Sequence, residues 1–234
     1  MRPRKFFYAF AAYIATIGLA VVISAETTHG RRIHASLADL CVTEGTISDL
    51  PAHGLSVTLP NVHATMNRET AQDIEARFVY LGPSEPTDPP HGHGHHQFGF
   101  ELFAQDACNL VYVMWRLEPE SSIAVLAKSN PEQHVHADCN SRGTTTVAPE
   151  LALPLPAVRA GERISHNLHA EVSGATLSVF ADDVLVWRGT LPADVLRTHG
   201  PVGIHCDNAK LEIVLRVAPP AADAPLLPCK AAAG

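Results

Sequence analysis

The stretch that decides the fold is residues 176–217, TLSVFADDVLVWRGTLPADVLRTHGPVGIHCDNAKLEIVLRV. Its apolar residues alternate with polar ones, as at Leu211 and Ile213, and this two-residue period predicts strands with one buried face. Asp182 and Asp183 stand where the chain must reverse, and aspartate tolerates the backbone of a tight turn. The stretch therefore predicts strand, turn, strand, short helical turn, strand, turn and strand.

Further strands are expected before this stretch. Residues 109–118, NLVYVMWRLE, are apolar on both alternating faces, which favours a central strand that is covered on each side. Other expected strands are 54–59, 74–81, 98–104, 122–128 and 163–172. The 18 prolines and 15 glycines supply the turns between them. We therefore expect one all-β domain over residues 26–217, an antiparallel β-sandwich with one short helical turn at 191–196.

The C-terminal part of the chain resembles a known superfamily. Residues 161–191 read GERISHNLHAEVSGATLSVFADDVLVWRGTL, and residues 200–217 read GPVGIHCDNAKLEIVLRV. This layout resembles the C-terminal half of concanavalin A-like jelly-roll domains, in the laminin-G-like branch of the lectin/glucanase superfamily. The resemblance extends over about residues 45–217 and is strongest over 158–217. It implies a jelly roll, but glucanases, lectins and protein-binding modules share that fold, so function must come from the site.

The first 25 residues have the pattern of a signal peptide. Three basic residues precede an apolar run at 6–22, and Ala25 offers a small residue at the cleavage edge. An uncleaved anchor is the alternative, because about 17 apolar residues lie near the lower limit for spanning a bilayer. We expect an exported protein (periplasmic, cell-surface or extracellular) that contacts a membrane only through this segment, if it is retained. The Ala- and Pro-rich residues 218–234 are expected to be a disordered tail.

The charge argues against one class of partner. Removal of the first 25 residues moves the formal net charge from −7 to −10. Nucleic-acid binding needs clustered lysine and arginine, and the sequence contains no such cluster. We expect no nucleic-acid partner.

The cysteine count is odd. The five cysteines are Cys41, Cys108, Cys139, Cys206 and Cys229. Export permits disulfides, and an odd number leaves one thiol unpaired or paired with a partner. The connectivity is open, but a Cys108–Cys139 bond is favoured because these residues bracket a strand pair and the loop that follows it. Cys229 lies in the expected tail and is the candidate for the unpaired residue.

Two histidine clusters are candidates for metal binding. The loop at 82–96, GPSEPTDPPHGHGHH, contains His91, His93, His95 and His96. Neutral imidazole binds Zn, Cu and Ni, although a flexible polar loop explains the same residues. His134, His136 and Asp138 form a second set, for which a surface loop held by Cys139 is the ordinary interpretation. The remaining scattered histidines, His166, His169, His199 and His205, are expected at strand edges or in ordinary hydrogen bonds. No cofactor is expected apart from a zinc ion at the 82–96 loop.

Acids and tryptophans give candidates for other sites. The superfamily's glucanase pattern, Glu-x-Asp-x-x-Glu, is absent. Glycoside hydrolysis needs two carboxylates about 5–10 Å apart, and Glu101 and Glu118 are candidates for an unrecognised pair. Trp115 and Trp187 are candidates for stacking on a sugar ring, with core packing as the alternative.

These observations favour a non-enzymatic binding module for a carbohydrate or another cell-envelope ligand, such as an envelope protein. Two alternatives remain open. One is a glycan-active hydrolase or lyase, and the other is a metal-binding envelope protein that uses the histidine-rich loop. Asp182, Asp183 and Asp207 are expected to form turns, so function is expected on the loops at 82–96 or 129–142.

Overall fold

The computed structural model describes residues 31–85 and 96–229. The proposed signal peptide or anchor at 1–25 lies outside the described residues, as do His91, His93 and His95. Within the described ranges, no helix is both long enough and apolar enough to cross a membrane.

The described chain forms two antiparallel sheets. In chain order the strands are β1 (Ile33–Ala35), β2 (Leu40–Glu44), β3 (Ile47–Leu50), β4 (Gly54–Val57), β5 (Asn61–Met66), β6 (Asp73–Gly82), β7 (His96–Asp106), β8 (Asn109–Glu118), β9 (Ser122–Lys128), β10 (Thr144–Thr146), β11 (Leu151–Ala152), β12 (Ser165–Ser173), β13 (Thr176–Ala181), β14 (Val184–Thr190), β15 (Gly203–Asp207) and β16 (Lys210–Val217). One sheet has nine strands in the order β11-β14-β13-β12-β6-β16-β4-β3, with β1 also paired to β16. The other has seven, in the order β10-β9-β8-β7-β15-β5-β2. The predicted antiparallel β-sandwich is confirmed.

The C-terminal stretch contributes strands to both sheets. β12 pairs with β13 and β13 with β14, which makes two successive hairpins in the nine-stranded sheet. Asp182 and Asp183 close the second hairpin with φ of 48° and 65°, a left-handed backbone that aspartate tolerates. β15 then crosses to the seven-stranded sheet and β16 returns. The stretch therefore couples the two layers.

The core lies between the two sheets. The ring of Phe78, from the nine-stranded sheet, lies 5.1 Å from the ring of Phe98 and 5.5 Å from that of Trp115, both in the seven-stranded sheet. All three side chains are buried, and aromatic pairs at such separations add about 0.5–1.5 kcal/mol each beyond the area they bury. This contact fixes which face of β7 and β8 points inward.

Three local elements differ from the sequence predictions. The chain forms β5 at Asn61–Met66, a strand that was not predicted. The predicted loop at 129–142 contains a short helix, α1 (His136–Cys139), and the short strands β10 and β11 follow it. The helical turn predicted at 191–196 is a 3-10 turn at Val195–Arg197, and the Asp194 side chain accepts a hydrogen bond from the Val195 amide at its start.

The disulfides follow the expected pattern at one site and differ from it at the other. Cys108 bonds to Cys139, the pair favoured from the sequence. Cys229 is not the unpaired residue: it bonds to Cys41, and the free cysteine is Cys206. Cys206 points into the core from β15, and burial raises the pKa of its thiol to about 12. The prediction for Cys229 was wrong because the residue's place in a Pro-rich tail gave no sign that this tail returns to β2.

Residues 218–229 contain no strand or helix, yet they are attached to the sandwich. The Leu227 amide donates to the Asn67 carbonyl at 2.8 Å, and the Arg68 guanidinium donates to the Ala224 carbonyl at 2.6 Å. The Cys41–Cys229 disulfide attaches this segment covalently to β2 and joins two residues that are 188 positions apart in the sequence.

Loss of this long-range bond should destabilise the domain. We expect Cys229→Ala to lower the free energy of unfolding by about 2–4 kcal/mol, because a disulfide across a long loop restricts the unfolded chain. Urea unfolding without reductant measures the change. Leu226→Ala is the matched control, since Leu226 is 64% exposed in the same segment. An equal effect of both variants would contradict the prediction.

Candidate functional site

Seven polar side chains share the outer face of the seven-stranded sheet. We call the set of Gln97, Glu101, Tyr112, Arg116, His205, Asp207 and His63 the polar strip. Alternation along each strand explains their position. In β7, Phe98 and Phe100 are buried in the core, so Gln97 and Glu101 point to the outer face of the sheet.

The strand register arranges the polar strip in three rows across β8, β7, β15 and β5. The rows are Arg116–Gln97–Asp207–Asn61, Met114–Gly99–His205–His63 and Tyr112–Glu101–Gly203–Thr65. A Cβ atom at Gly99 would lie 2.0 Å from the Val113 carbonyl oxygen, and one at Gly203 would lie 2.5 Å from that of Ala64. No larger residue fits either position. At Gly99 and Gly203, in the middle of the strip, the outer face therefore consists of backbone atoms alone.

Two histidines and a carboxylate meet at the centre of the strip. His63 Nδ1 lies 2.6 Å from Glu101 Oε1, and His205 Nδ1 lies 3.7 Å from the same oxygen. Glu101 reaches His63 across β15 at Gly203, which has no side chain in the way. The two imidazole centroids are 3.9 Å apart, and Tyr112 meets the His205 ring edge-on at 5.2 Å.

The two imidazoles have opposite electrostatic environments. Burial alone would lower the pKa of His63, but the hydrogen bond and charge of Glu101, together with the charge of Glu44, raise it above 6.5. Burial and the neighbouring His63 charge hold the pKa of His205 well below 6.5. The centre therefore holds one imidazole that favours its proton and one that is neutral, around a carboxylate side chain that is 5% exposed.

The two acids considered as a catalytic pair have different surroundings. Glu101 lies in the polar strip. Glu118 accepts a hydrogen bond from the Tyr80 hydroxyl at 3.1 Å, and its carboxylate is 3.1 Å from His96 Nδ1. Because Tyr80 belongs to β6 of the opposite sheet, Glu118 links the two layers rather than facing a ligand with Glu101.

Neither tryptophan is available for stacking on a sugar, so both ligand-binding predictions are wrong. Trp115 is 0% exposed, and its indole NH donates to Ser121 at 2.7 Å. Trp187 is 2% exposed and packs in the core cluster. The alternation of β8 places Trp115 on the inner face, which leaves Tyr112 as the aromatic residue of the strip.

The predicted histidine sites are not assembled among the described residues. Of the four histidines in the 82–96 loop, only His96 is described, and its Nδ1 is directed to Glu118. His134 Nδ1 lies 2.6 Å from Asp106 rather than beside His136 and Asp138, and His136 opens helix α1. Hydrogen bonds and the Cys108–Cys139 disulfide account for the position of this loop.

A second cluster of ionisable groups lies on the outer face of the nine-stranded sheet. Asp73, His169 and Glu171 place possible ligand atoms within 4.8 Å of one another. Arg32 already provides a cation here: its guanidinium lies 2.7 Å from both Asp73 and Glu75, and it also contacts His169. The Arg32 side chain is only 8% exposed. The cluster is therefore a half-buried ion-pair network that joins the segment before β1 to β6 and β12.

A shallow depression of about 280 Å³ lies at the end of the nine-stranded sheet. It is lined by Arg77, Ser165, His166, Asn167, Asp182 and Asp183. His166 Nδ1 is already 2.9 Å from Asp182, and the Asn167 amide donates to Asp183 at 3.0 Å. The depression is shallow and open, and its contacts from His166 and Asn167 hold the two aspartates of the hairpin turn, so the polar strip is the better candidate.

Sequence patterns identified only part of the polar strip. The sequence predicts Glu101 as a candidate acid and His205 as a histidine in an ordinary hydrogen bond. It does not single out His63, because no strand is predicted at 61–66. The alternation of Val62, Ala64 and Met66 was the available signal for that strand, since it places His63 on the opposite face. No local pattern showed that Gly203 would let Glu101 reach across β15.

Comparison with known proteins identifies the fold. No protein-family model and no curated protein matches the chain. Among solved structures, the carbohydrate-binding module CBM66 from Bacillus subtilis matches with a TM-score of 0.52 and 12% identity, over 77% of this chain and 96% of that one. The Caenorhabditis elegans galectin LEC-6 matches with a TM-score of 0.40 and 8% identity, over 79% and 99%. LamAcat from Zobellia galactanivorans matches with a TM-score of 0.43 and 12% identity, over 73% and 79%. The concanavalin A-like jelly roll is confirmed, and identities this low establish only the shared fold.

The Arg32 network should make stability depend on acid pH. Burial alone would raise the pKa of Asp73, but His169 and Arg32 hold it below its usual 3.8. A lowered pKa stabilises the fold above the unfolded-state value, and this contribution is lost as pH falls through the folded-state value. We expect Asp73→Asn to cost about 1–3 kcal/mol at neutral pH and much less at an acid pH below the lowered pKa of Asp73.

Urea unfolding at the two pH values measures this difference. Asp49→Asn is the matched control, because Asp49 is an exposed aspartate at the edge strand β3. A cost for Asp73→Asn that stays the same at both pH values would show that the lost interaction is not ionic.

Proposed function

We propose that this chain is an exported carbohydrate-binding protein that holds a glycan on the polar strip. The proposal rests on the polar strip, in which seven polar side chains from β5, β7, β8 and β15 share one outer sheet face. They surround Gly99 and Gly203, where only backbone atoms face outward. The fold neighbour from Bacillus subtilis is a carbohydrate-binding module, which supports the same class of ligand.

The chemistry of the strip suits a polyol. Sugar hydroxyls both donate and accept hydrogen bonds, and the strip offers acceptors in Glu101 and Asp207 and donors in Arg116 and Gln97. The Gln97 amide already donates one hydrogen bond to Asp207, at 3.1 Å, and retains a second N–H. Arg116 Nε is buried without a hydrogen-bond partner, so the guanidinium is incompletely satisfied. Tyr112 adds an aromatic edge with a hydroxyl, a combination that matches a sugar's apolar and polar surfaces.

The charges of the strip favour a neutral glycan. Glu101 and Asp207 belong to it, and Glu44 lies 3.6 Å from His63 at its margin. Arg116 is its one permanent cation. A polyuronate would bring further negative charge towards these acids, and like charges at short range repel. We therefore place neutral polysaccharides ahead of acidic ones.

Export is supported by the cysteines. Disulfides persist in oxidising compartments and are rare in the cytosol, and this chain has two, Cys41–Cys229 and Cys108–Cys139. The basic and apolar character of residues 1–25 is consistent with a secretory signal. A periplasmic, cell-surface or extracellular location would also bring the strip to envelope glycans.

A second candidate function is cleavage of the bound glycan. Its specific support is the 2.6 Å contact between Glu101 and His63, a pair that can share and transfer a proton beside Tyr112. Binding without turnover remains the leading proposal, because the other predicted acid, Glu118, is held by Tyr80 and His96.

Substitutions in the first row of the strip test glycan binding. We expect Gln97→Ala and Arg116→Ala each to weaken the affinity for a neutral polysaccharide about tenfold or more, since a hydrogen bond to a ligand contributes about 1–3 kcal/mol. Isothermal titration against a panel of neutral and acidic polysaccharides measures the change. Arg188→Ala, an exposed arginine on the nine-stranded sheet, is the matched control and should bind normally.

The same panel decides between the two candidate functions. Recovery of intact polymer after incubation supports a binding module, whereas release of new reducing ends or of unsaturated products assigns an enzyme. Failure of the wild-type chain to bind any polysaccharide of the panel would overturn both.

A further inference from the structure

We infer that His63, Glu101 and His205 form a binding site for a single transition-metal ion of the Zn²⁺ class. The three residues each offer one ligand atom, and these atoms lie within 4.8 Å of one another. The inference does not rest on the proposed glycan function, because it depends only on these three side chains and their surroundings. It also differs from the histidine-rich loop at 82–96, which uses other residues.

The distances suit an ion after small movements. Zn²⁺ lies about 2.0–2.2 Å from nitrogen and oxygen ligands, so tetrahedral ligand atoms are about 3.3–3.6 Å apart. Glu101 Oε1 is 2.6 Å from His63 Nδ1 and 3.7 Å from His205 Nδ1. Both separations differ from the required value by no more than about 1 Å, within reach of side-chain rotation alone.

The nitrogen of His205 is the clearest indication of a missing partner. Its Nδ1 is buried and has no hydrogen-bond partner, a state that costs free energy unless something binds there. The His63 ring, 3.9 Å away, and the edge-on Tyr112 ring restrict how the imidazole can turn. The nitrogen therefore stays directed towards the carboxylate of Glu101, where an ion would satisfy it.

A second layer of contacts supports the ligands. If His63 binds the ion through Nδ1, its Nε2 remains free to donate to Glu44, whose carboxylate is 3.6 Å away. A carboxylate behind a ligating histidine fixes the ring's tautomer and orientation. Gly203 keeps open the path by which Glu101 reaches the ion, and a side chain there would collide with the Ala64 carbonyl.

The chemistry of the ligands selects the class of ion. Two imidazoles and one carboxylate suit Zn²⁺, Cu²⁺ or Ni²⁺, whereas Ca²⁺ and Mg²⁺ prefer oxygen ligands throughout. Three protein ligands leave a fourth position for water or a ligand oxygen. The Asp73–His169–Glu171 cluster offers similar groups, but the Arg32 guanidinium already occupies the position of a cation there.

The test is a metal titration of the full, untagged chain after removal of metal with a chelator. Zn²⁺ binding is measured calorimetrically, and Co²⁺ is used as a visible probe of tetrahedral nitrogen and oxygen ligands. We expect one ion per chain. His205→Ala and Glu101→Gln should each weaken this binding more than about 100-fold, and Glu44→Gln about tenfold, as expected for a supporting residue.

The matched control replaces the loop histidines, as His91→Ala, His93→Ala and His95→Ala together. This triple variant should keep the tight site and its Co²⁺ spectrum. Loss of the site in the triple variant with retention in His205→Ala would overturn the inference, as would a wild-type chain that binds no Zn²⁺. Glu101→Gln is nearly isosteric and decides the matter if His205→Ala does not fold.

Thermal unfolding separates this inference from the glycan proposal. Zn²⁺ should raise the melting temperature of the wild-type chain and of the triple loop variant, but not that of Glu101→Gln. Glycan titrations in the presence of chelator then report on the glycan proposal alone, so either proposal can fail without the other.

Discussion

The structure depends on the packing of Phe78 against Phe98 and Trp115 across the two sheets. Side chains alternate along a strand, so a shift of one residue would turn every side chain of β7 to the opposite face. The inward position of Phe98 therefore also determines that Gln97, Gly99 and Glu101 face outward. The same aromatic contact therefore determines which side chains of β7 enter the core and which belong to the polar strip.

The sequence predicted those parts of the fold that local periodicity encodes. The apolar run at 109–118 predicted β8 with the bounds that the structure has, and the alternation at Leu211 and Ile213 predicted β16. Asp182 and Asp183 marked the hairpin turn. The short strand β5 was not predicted, because six residues between a proline and a polar stretch carry a weak pattern. Its absence hid His63, so the site could not be assembled from sequence.

Other properties were not predictable because they are not local. The sequence predicts Trp115 and Trp187 as candidates for stacking on a sugar ring, whereas the structure places both side chains in the core. Cys229 appeared to be unpaired because nothing near it in sequence indicates that Cys41 is its neighbour. In both cases the contact that determines the residue's environment joins segments that are distant in the sequence. Patterns in a single sequence indicate only contacts between residues that are close in the chain.

The two ionisable clusters show why composition alone does not define a site. Each combines histidine with carboxylates on an outer sheet face, yet the Asp73 cluster contains Arg32 and is electrostatically complete. In the His63–Glu101–His205 cluster the cation is the titratable His63 imidazole, whose proton a metal ion can displace, and a buried nitrogen of His205 has no hydrogen-bond partner. An ion there would replace that proton and add positive charge in the middle of the polar strip. Electron-rich sugar oxygens would then be less repelled by the strip, and a glycan hydroxyl would have the ion's fourth coordination position open to it. The two proposals would then describe one surface, on which the metal sets the charge that the glycan meets.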